Sequence, residues 1–253
     1  MTIPSLMKKV VMLIFFGVAV LKAGFTFSQG DTQLWLTYNN QTRISEKWGY
    51  TFDVNYRTYG FFPFFSTLAA GRVGGSYLVN ERMRVTGGYA WFGTYVSDFD
   101  IKWLPEHRLW QQAQWMIPKS KFQLVHRFRL EQRYRQELLK YPSSKYSYAY
   151  ATRARYMIQF QGLLLPPKTP DGFQLSWQAA NEIMFQSGDV ISNQLFNQNR
   201  TLAGLVISPN RKFDLAILYQ LIMQYQPVLA RGEDIQSIRL TAFHVLDYRR
   251  KRL

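Results

Sequence analysis

The chain contains no cysteine. That excludes disulfide scaffolds, thiolate metal centres, thiol catalysis and acylation on a cysteine anchor. It has three histidines and no clustered metal-ligand spacing, so a metal site has no sequence support. A phosphate-binding glycine loop is also missing. Gly71-Arg72-Val73-Gly74-Gly75 sits in an alternating stretch with no helix after it. Heptads and tandem repeats are absent. Beyond Leu21, no apolar run approaches the 18 or so residues of a spanning helix.

The one compact apolar run lies at the start. Lys8 and Lys9 precede residues 10–21, and Thr26 and Ser28 are small residues flanking Phe27. A basic flank, about a dozen apolar residues and small residues at positions three and one before a cut describe a secretory signal peptide. The reading is a signal peptide over 1–28 and one mature domain over 29–253. The run is short for a bilayer-spanning helix, which needs about 20 residues.

Aromatic residues make up 17% of the chain, which is too many to hide in a small soluble core. They follow a period of two. From Phe122, one parity reads Phe122, Leu124, His126, Phe128, Leu130, Gln132, Tyr134. The other reads Gln123, Val125, Arg127, Arg129, Glu131, Arg133, Arg135. This alternation is a β-strand with one apolar and one charged face. It returns after residue 145, with Tyr148, Tyr150, Thr152, Ala154, Tyr156, Ile158 and Phe160 facing one way and Arg153, Arg155 and Gln159 the other. Two neighbouring strands therefore gather six arginines on one surface.

The same pattern runs through the chain. Strands are expected over residues 32–44, 48–59, 67–79, 82–95, 105–117, 122–135, 146–160, 173–185, 200–208, 212–225 and 235–248. Between them come the aromatic loop 60–66, a loop at 96–104, the proline-rich connection 162–172, the polar loop 186–199 and a loop at 226–234. The glycines at 71, 74 and 75 predict a bulge or a close backbone approach. Eleven strands are counted. Bacterial single-chain barrels have even strand numbers, so the expectation is about 12, with 10 as the alternative and a hidden strand sought at 162–172 or 186–199.

Strands of 11 to 15 residues exceed the usual 5–6 of a soluble sandwich. They match the 9–11 residues that cross a bilayer at a tilt, plus some extension. A repeated aromatic face belongs against lipid, and a face of Arg, Gln, Asn, Ser and Gly belongs in a hydrated lumen. The expected fold is an all-β, antiparallel transmembrane β-barrel. The expected location is the bacterial outer membrane. Its expected partners are outer-membrane lipid and the barrel assembly machinery during biogenesis.

The formal charge of +15 falls to +12 without Lys8, Lys9 and Lys22, and residues 249–252 carry four of those positive charges. Such a balance suits nucleic acid. Here, however, the basic residues alternate with apolar ones along strands, and export removes the chain from nucleic acid. The candidate site is instead a lumen charge network of Arg127, Arg129, Glu131, Arg133, Arg135, Arg153, Arg155 and Glu182, with Asp53 and Glu106 in phase on more distant strands. Arginine pairs with carboxylates through two parallel hydrogen bonds, so Glu131 and Glu182 are expected to neutralise part of the ladder. No cofactor and no catalytic residue is assigned. His107, His126 and His244 have no serine at same-face spacing, as a lipid-cleaving barrel would need, and they read as interfacial aromatics.

The run His126-Arg127-Phe128-Arg129-Leu130-Glu131-Gln132-Arg133, then Arg153-Ala154-Arg155-Tyr156, then Asn181-Glu182-Ile183-Met184-Phe185 resembles the family named domain of unknown function 2490. That family is described as an outer-membrane β-barrel. The resemblance spans about residues 33–248. It implies a barrel in the membrane and a joint role for Arg127, Arg129, Glu131, Arg133, Arg153, Arg155 and Glu182, without an activity. The function expected from the residues is a structural or small-pore barrel with an anion-leaning lumen. The alternatives are a lipid-modifying barrel enzyme and a docking subunit of a membrane complex.

Overall fold

The computed structural model describes residues 32–60, 66–96, 102–138, 146–188, 195–226 and 231–249. The expected signal peptide, most of the aromatic loop and the end of the basic tail lie outside the described residues.

Eleven strands follow one another: β1 (Thr32–Arg43), β2 (Trp48–Tyr59), β3 (Ser66–Asn80), β4 (Met83–Val96), β5 (Lys102–Pro118), β6 (Gln123–Leu138), β7 (Tyr146–Leu165), β8 (Gln174–Gly188), β9 (Phe196–Asn210), β10 (Phe213–Gln226) and β11 (Arg231–Asp247). Each pairs antiparallel with its neighbour in sequence, and β1 closes the barrel by pairing parallel with β11. An even count is therefore wrong for this chain. A meander with an odd number of strands ends with its first and last strands pointing the same way. It closes only through a parallel ladder, which here runs unbroken from Thr32↔Gln236 to Arg43↔Asp247. No strand was hidden among the described residues. Residues 102–104 open β5, 162–165 extend β7, 186–188 extend β8, 196–199 open β9 and 231–234 open β11, so five segments expected in connections are paired instead.

With strands ~4.8 Å apart and tilted by ~40°, eleven close into a backbone cylinder on the order of 22 Å across. One end carries tight connections such as the two-residue turn at Glu81 and Arg82. The other carries the connections around 61–65, 97–101, 139–145, 189–194 and 227–230.

Alternation assigns the faces. Tyr50, Phe52 and Val54 on β2 are exposed outside, while Asp53 and Asn55 between them are buried inside. On β6 Phe128 is exposed, whereas Arg129, Glu131 and Arg133 are buried. On these strands the polar parity thus faces the lumen. The glycine-rich strand β3 provides close approach rather than a bulge. Gly74 faces Gly88 across the ladder, and a Cβ at Gly74 would stand 2.8 Å from the Trp110 ring. The missing side chain lets that indole lie flat against the inner wall.

Small apolar clusters complete the inside. Met157, Ala180, Leu202, Val206, Ala216 and Leu218 pack together on the β7–β10 wall, with Phe243 against them. Ala70, Ala90, Phe92 and Trp110 form a second patch on β3–β5.

Candidate functional site

The strands β5 to β8 bring the predicted charges together. Register sets Glu131 opposite Arg153 and Arg129 opposite Arg155. It also places Arg133 opposite Arg108. Same-face neighbours two residues apart then interleave, and three carboxylates each collect arginines.

Glu131 is 2% exposed and is the hub. Its Oε2 accepts from Arg153 Nε and Nη2 at 2.9 and 2.5 Å, and its Oε1 accepts from Arg155 Nη1 at 2.8 Å. Arg108 and Arg129 lie 3.6 and 3.8 Å away. Glu182 accepts from Arg155 at 2.8 to 3.1 Å and from Arg127 Nη2 at 2.8 Å. Arg155 therefore bridges two carboxylates. Glu106 holds the third junction. Arg108 reaches it through Nε and Nη2 at 2.7 and 3.1 Å, and Arg133 through the same two atoms at 2.5 and 3.1 Å. Arg133 also donates to Gln186.

Seven of the eight predicted residues thus form one connected network of ion pairs, most of them charge-assisted and often two-point hydrogen bonds, with Arg129 joined to Glu131 at 3.8 Å while its hydrogen bonds go to Gln112. Arg135 lies on the same inner face nearer the wider-looped end and borders the cavity there. Glu106 is nearer the centre than its sequence position implied, because β5 is adjacent to β6. Arg108 was missed as a network member, although its inward parity was legible. Its stacking on Phe92, 3.5 Å to the ring centroid, depends on β4. A smaller junction joins Arg72 to Asp53 at 2.8 and 3.0 Å, and Asp53 also accepts from Asn55.

Two cavities occupy the lumen. One of about 500 Å³ lies toward the wider loops, and one of about 310 Å³ toward the tight turns. Arg72, Arg127, Arg129, Arg200 and Arg239 border both. Twelve arginines line the two cavities together. The carboxylates among them or in their network are five: Asp53, Glu106, Glu131, Glu182 and Asp214.

The imbalance is not spread evenly. Arg57 and Arg239 are on strands away from the network and Arg200 is in register with Glu182 across β8 and β9, yet none of the three has a carboxylate within ion-pair distance among the described residues. Arg200 bonds Gln198 at 2.9 and 2.5 Å, and Arg239 bonds the Thr241 hydroxyl at 3.3 Å. Arg57 rests on the Trp35 ring at 3.6 Å. Sequence reading placed Arg57 on the polar face but gave these three no role. Their signal is the gathering of separate strands around the seam.

The histidines face outward. Each ring meets a tyrosine hydroxyl: His107 with Tyr89 at 2.6 Å, His126 with Tyr156 at 2.7 Å and His244 with Tyr38 at 3.2 Å. His126 also stacks on Trp115 with centroids 5.0 Å apart. These are Tyr–His pairs on an aromatic surface rather than serine-activating bases. Among the described residues no group of three His, Asp or Glu converges as a metal would require.

Comparison with curated proteins finds no match. A sequence profile for the family Protein of unknown function (DUF2490) matches residues 32–231, from the first residue of β1 to the first of β11. That segment contains the whole Arg–Glu network, and the chain belongs to the Protein of unknown function (DUF2490) family.

Proposed function

We infer that this protein is a barrel of the bacterial outer membrane whose lumen is a narrow, anion-leaning passage. The observation that carries the passage is the surplus of arginine: among the described residues twelve guanidinium groups border the two cavities, against five carboxylates in or beside the same space. Five of those arginines border both cavities, so a solute moving from one to the other meets a belt of positive charge. Rings of basic side chains select anions in this way.

The membrane reading is supported by the outer surface. Trp103 and Trp115 face outward twelve residues apart on β5, and Tyr148 and Phe160 do so on β7. At ~3.3 Å per residue and a tilt of ~40°, that spacing is about 30 Å along the barrel axis, close to the hydrocarbon thickness of a bilayer. Aromatic rings at both levels are what the two interfaces favour. Phe52, Val54, Leu109 and Ile217 are exposed on the outer surface, which lipid would cover. Insertion would proceed through the barrel assembly machinery, as for other proteins of this architecture.

The test is conductance across a planar bilayer containing the purified full chain, with a potassium chloride gradient. Small steady currents with a reversal potential on the chloride side are expected. Arg200→Glu should move that potential toward the cation side. A barrel that inserts, as shown by protease protection, yet passes no current removes the pore reading.

A further inference from the structure

We propose that the β1–β2 and β9–β11 side of the lumen is a binding site for a small phosphate-type dianion, formed by Arg57, Arg200 and Arg239 with Gln220 and Ser237. It rests on the reading of a solvated lumen and names the solute class the lumen takes up.

The two sides of the barrel treat arginine differently. On β5–β8, Glu106, Glu131 and Glu182 tie the guanidinium groups into internal ion pairs. On the opposite side Arg57, Arg200 and Arg239 form no ion pair among the described residues, although Arg200 stands in register with Glu182 on β8. The parallel seam puts Arg239 in register with Trp35, and the next ladder puts Trp35 in register with Arg57. Arg57 and Arg200 both lie over the face of that one indole, at 3.6 and 5.1 Å from its centroid. An aromatic face tolerates a cation without neutralising it, so Trp35 positions the two guanidinium groups without neutralising either charge.

A second, independent observation points to a ligand. Arg57 Nε is buried and has no hydrogen-bond partner among the described residues. The carboxamide of Gln220, 0% exposed, lacks a partner at both its nitrogen and its oxygen, and the Ser237 hydroxyl lacks one too. Gln220 and Ser237 are directly paired across β10 and β11, and Arg239 follows Ser237 on the same face. Buried polar groups in folded proteins are almost always satisfied, by protein, water or a bound solute. Unspent donors at Arg57 Nε, Gln220 Nε2 and Ser237 Oγ, together with three arginines that form no ion pair among the described residues, are matched by a solute of opposite charge and several acceptor oxygens. Arg200 and Arg239 border both cavities, so the site lies where the two meet.

A phosphate dianion fits this chemistry. It carries ≈ −1.5 to −2 charge near neutral pH, and its oxygens accept the two-point fork of a guanidinium. Chloride offers one charge and no directional acceptors. The residues point inward, away from the lipid-facing surface, so the occupant is a free solute rather than a bilayer headgroup.

The test is isothermal titration of the full chain in detergent with inorganic phosphate, against sodium chloride at equal ionic strength. Saturable heat with phosphate and none with chloride is expected. Arg239→Gln and Arg200→Gln should each weaken binding by roughly tenfold or more, the loss of one charge-assisted contact. Gln220→Glu, close in volume, should abolish it by supplying an internal counter-charge. Arg211→Gln, on an exposed turn, serves as the unaffected control. Heat-modifiable migration verifies that each variant is a closed barrel. If an arginine variant fails to fold, Gln220→Glu alone decides the matter. Folded protein that shows no saturable phosphate heat, or equal affinity in Gln220→Glu and Arg211→Gln, overturns the proposal. Phosphate binding without bilayer current would keep this site and remove the pore. Current without phosphate binding would do the reverse.

Discussion

Replacing Glu131 with glutamine keeps the shape of the hub and deletes its charge. Two arginines donate three hydrogen bonds to this carboxylate at 2.5 to 2.9 Å, and two more stand within 3.8 Å. A bond to a charged group contributes about 1.5–3 kcal/mol net. The substituted carboxamide would retain one acceptor oxygen and turn an N–H toward cations, so part of that is lost and repulsion is added. Removing one partner of a buried ion pair costs about 3–5 kcal/mol, because the other is left uncompensated. For a chain of this size each kcal/mol lowers the melting temperature by about 2–4 °C, so a fall on the order of 10 °C is expected. The assay is the temperature at which the compact barrel converts to the slower-migrating unfolded form in detergent gels, checked by loss of β-sheet circular dichroism. The double variant Glu131→Gln/Arg153→Met should recover part of the loss, since it removes both members of the pair. Unchanged heat resistance in Glu131→Gln, or full additivity of the two single changes, would refute the idea that this carboxylate holds the arginine wall together.

Three further outcomes follow from the geometry. Cysteines at Leu36 and Leu240, in register across the parallel seam, should form a disulfide on mild oxidation of this otherwise cysteine-free chain, whereas cysteines at Leu36 and His244 should not; electrophoresis without reductant reads the result. Gly74→Ala should lower the melting temperature by several degrees, about 1–3 kcal/mol of overpacking, since its Cβ meets Trp110 at 2.8 Å and the Gly87 carbonyl at 2.9 Å. In vesicles, lipids brominated near the headgroup should quench single-tryptophan variants retaining Trp103 or Trp115 more strongly than lipids brominated at the chain ends, if both rings lie at interfaces.

Much of this fold was legible in one dimension. Phe128 outside and Arg129 inside follow from side-chain alternation alone, a property of every extended strand. The place of Glu131 on the arginine-bearing face was legible too, because it shares the parity of Arg129 and Arg133; its pairing with Arg153 is set by the β6–β7 register. The even strand count failed because it came from a rule about other barrels rather than from this chain, whose own alternation counts eleven. Strand ends at 162–165, 196–199 and 231–234 were missed because prolines, glycines and polar side chains look like loops until a neighbouring strand satisfies their backbone.

By itself, then, the sequence determined the two faces and the arginine and carboxylate content of the β6–β8 wall, since these depend on period and on neighbours close along the chain. Only the tertiary structure decided what the other wall is. Trp35, Arg57 and Arg239 are brought side by side by the parallel ladder between β1 and β11 and the antiparallel one between β1 and β2. Closing a barrel joins residues some 200 positions apart, as Trp35 and Arg239 are, and no local pattern encodes which of them meet. The same closure gathers Arg57 and Arg239 on the side away from Glu106 and Glu131, while Arg200 stands in register with Glu182 without an ion pair among the described residues. Charge content was written along the chain, but its distribution between a neutralised wall and a free one is a property of the closed cylinder.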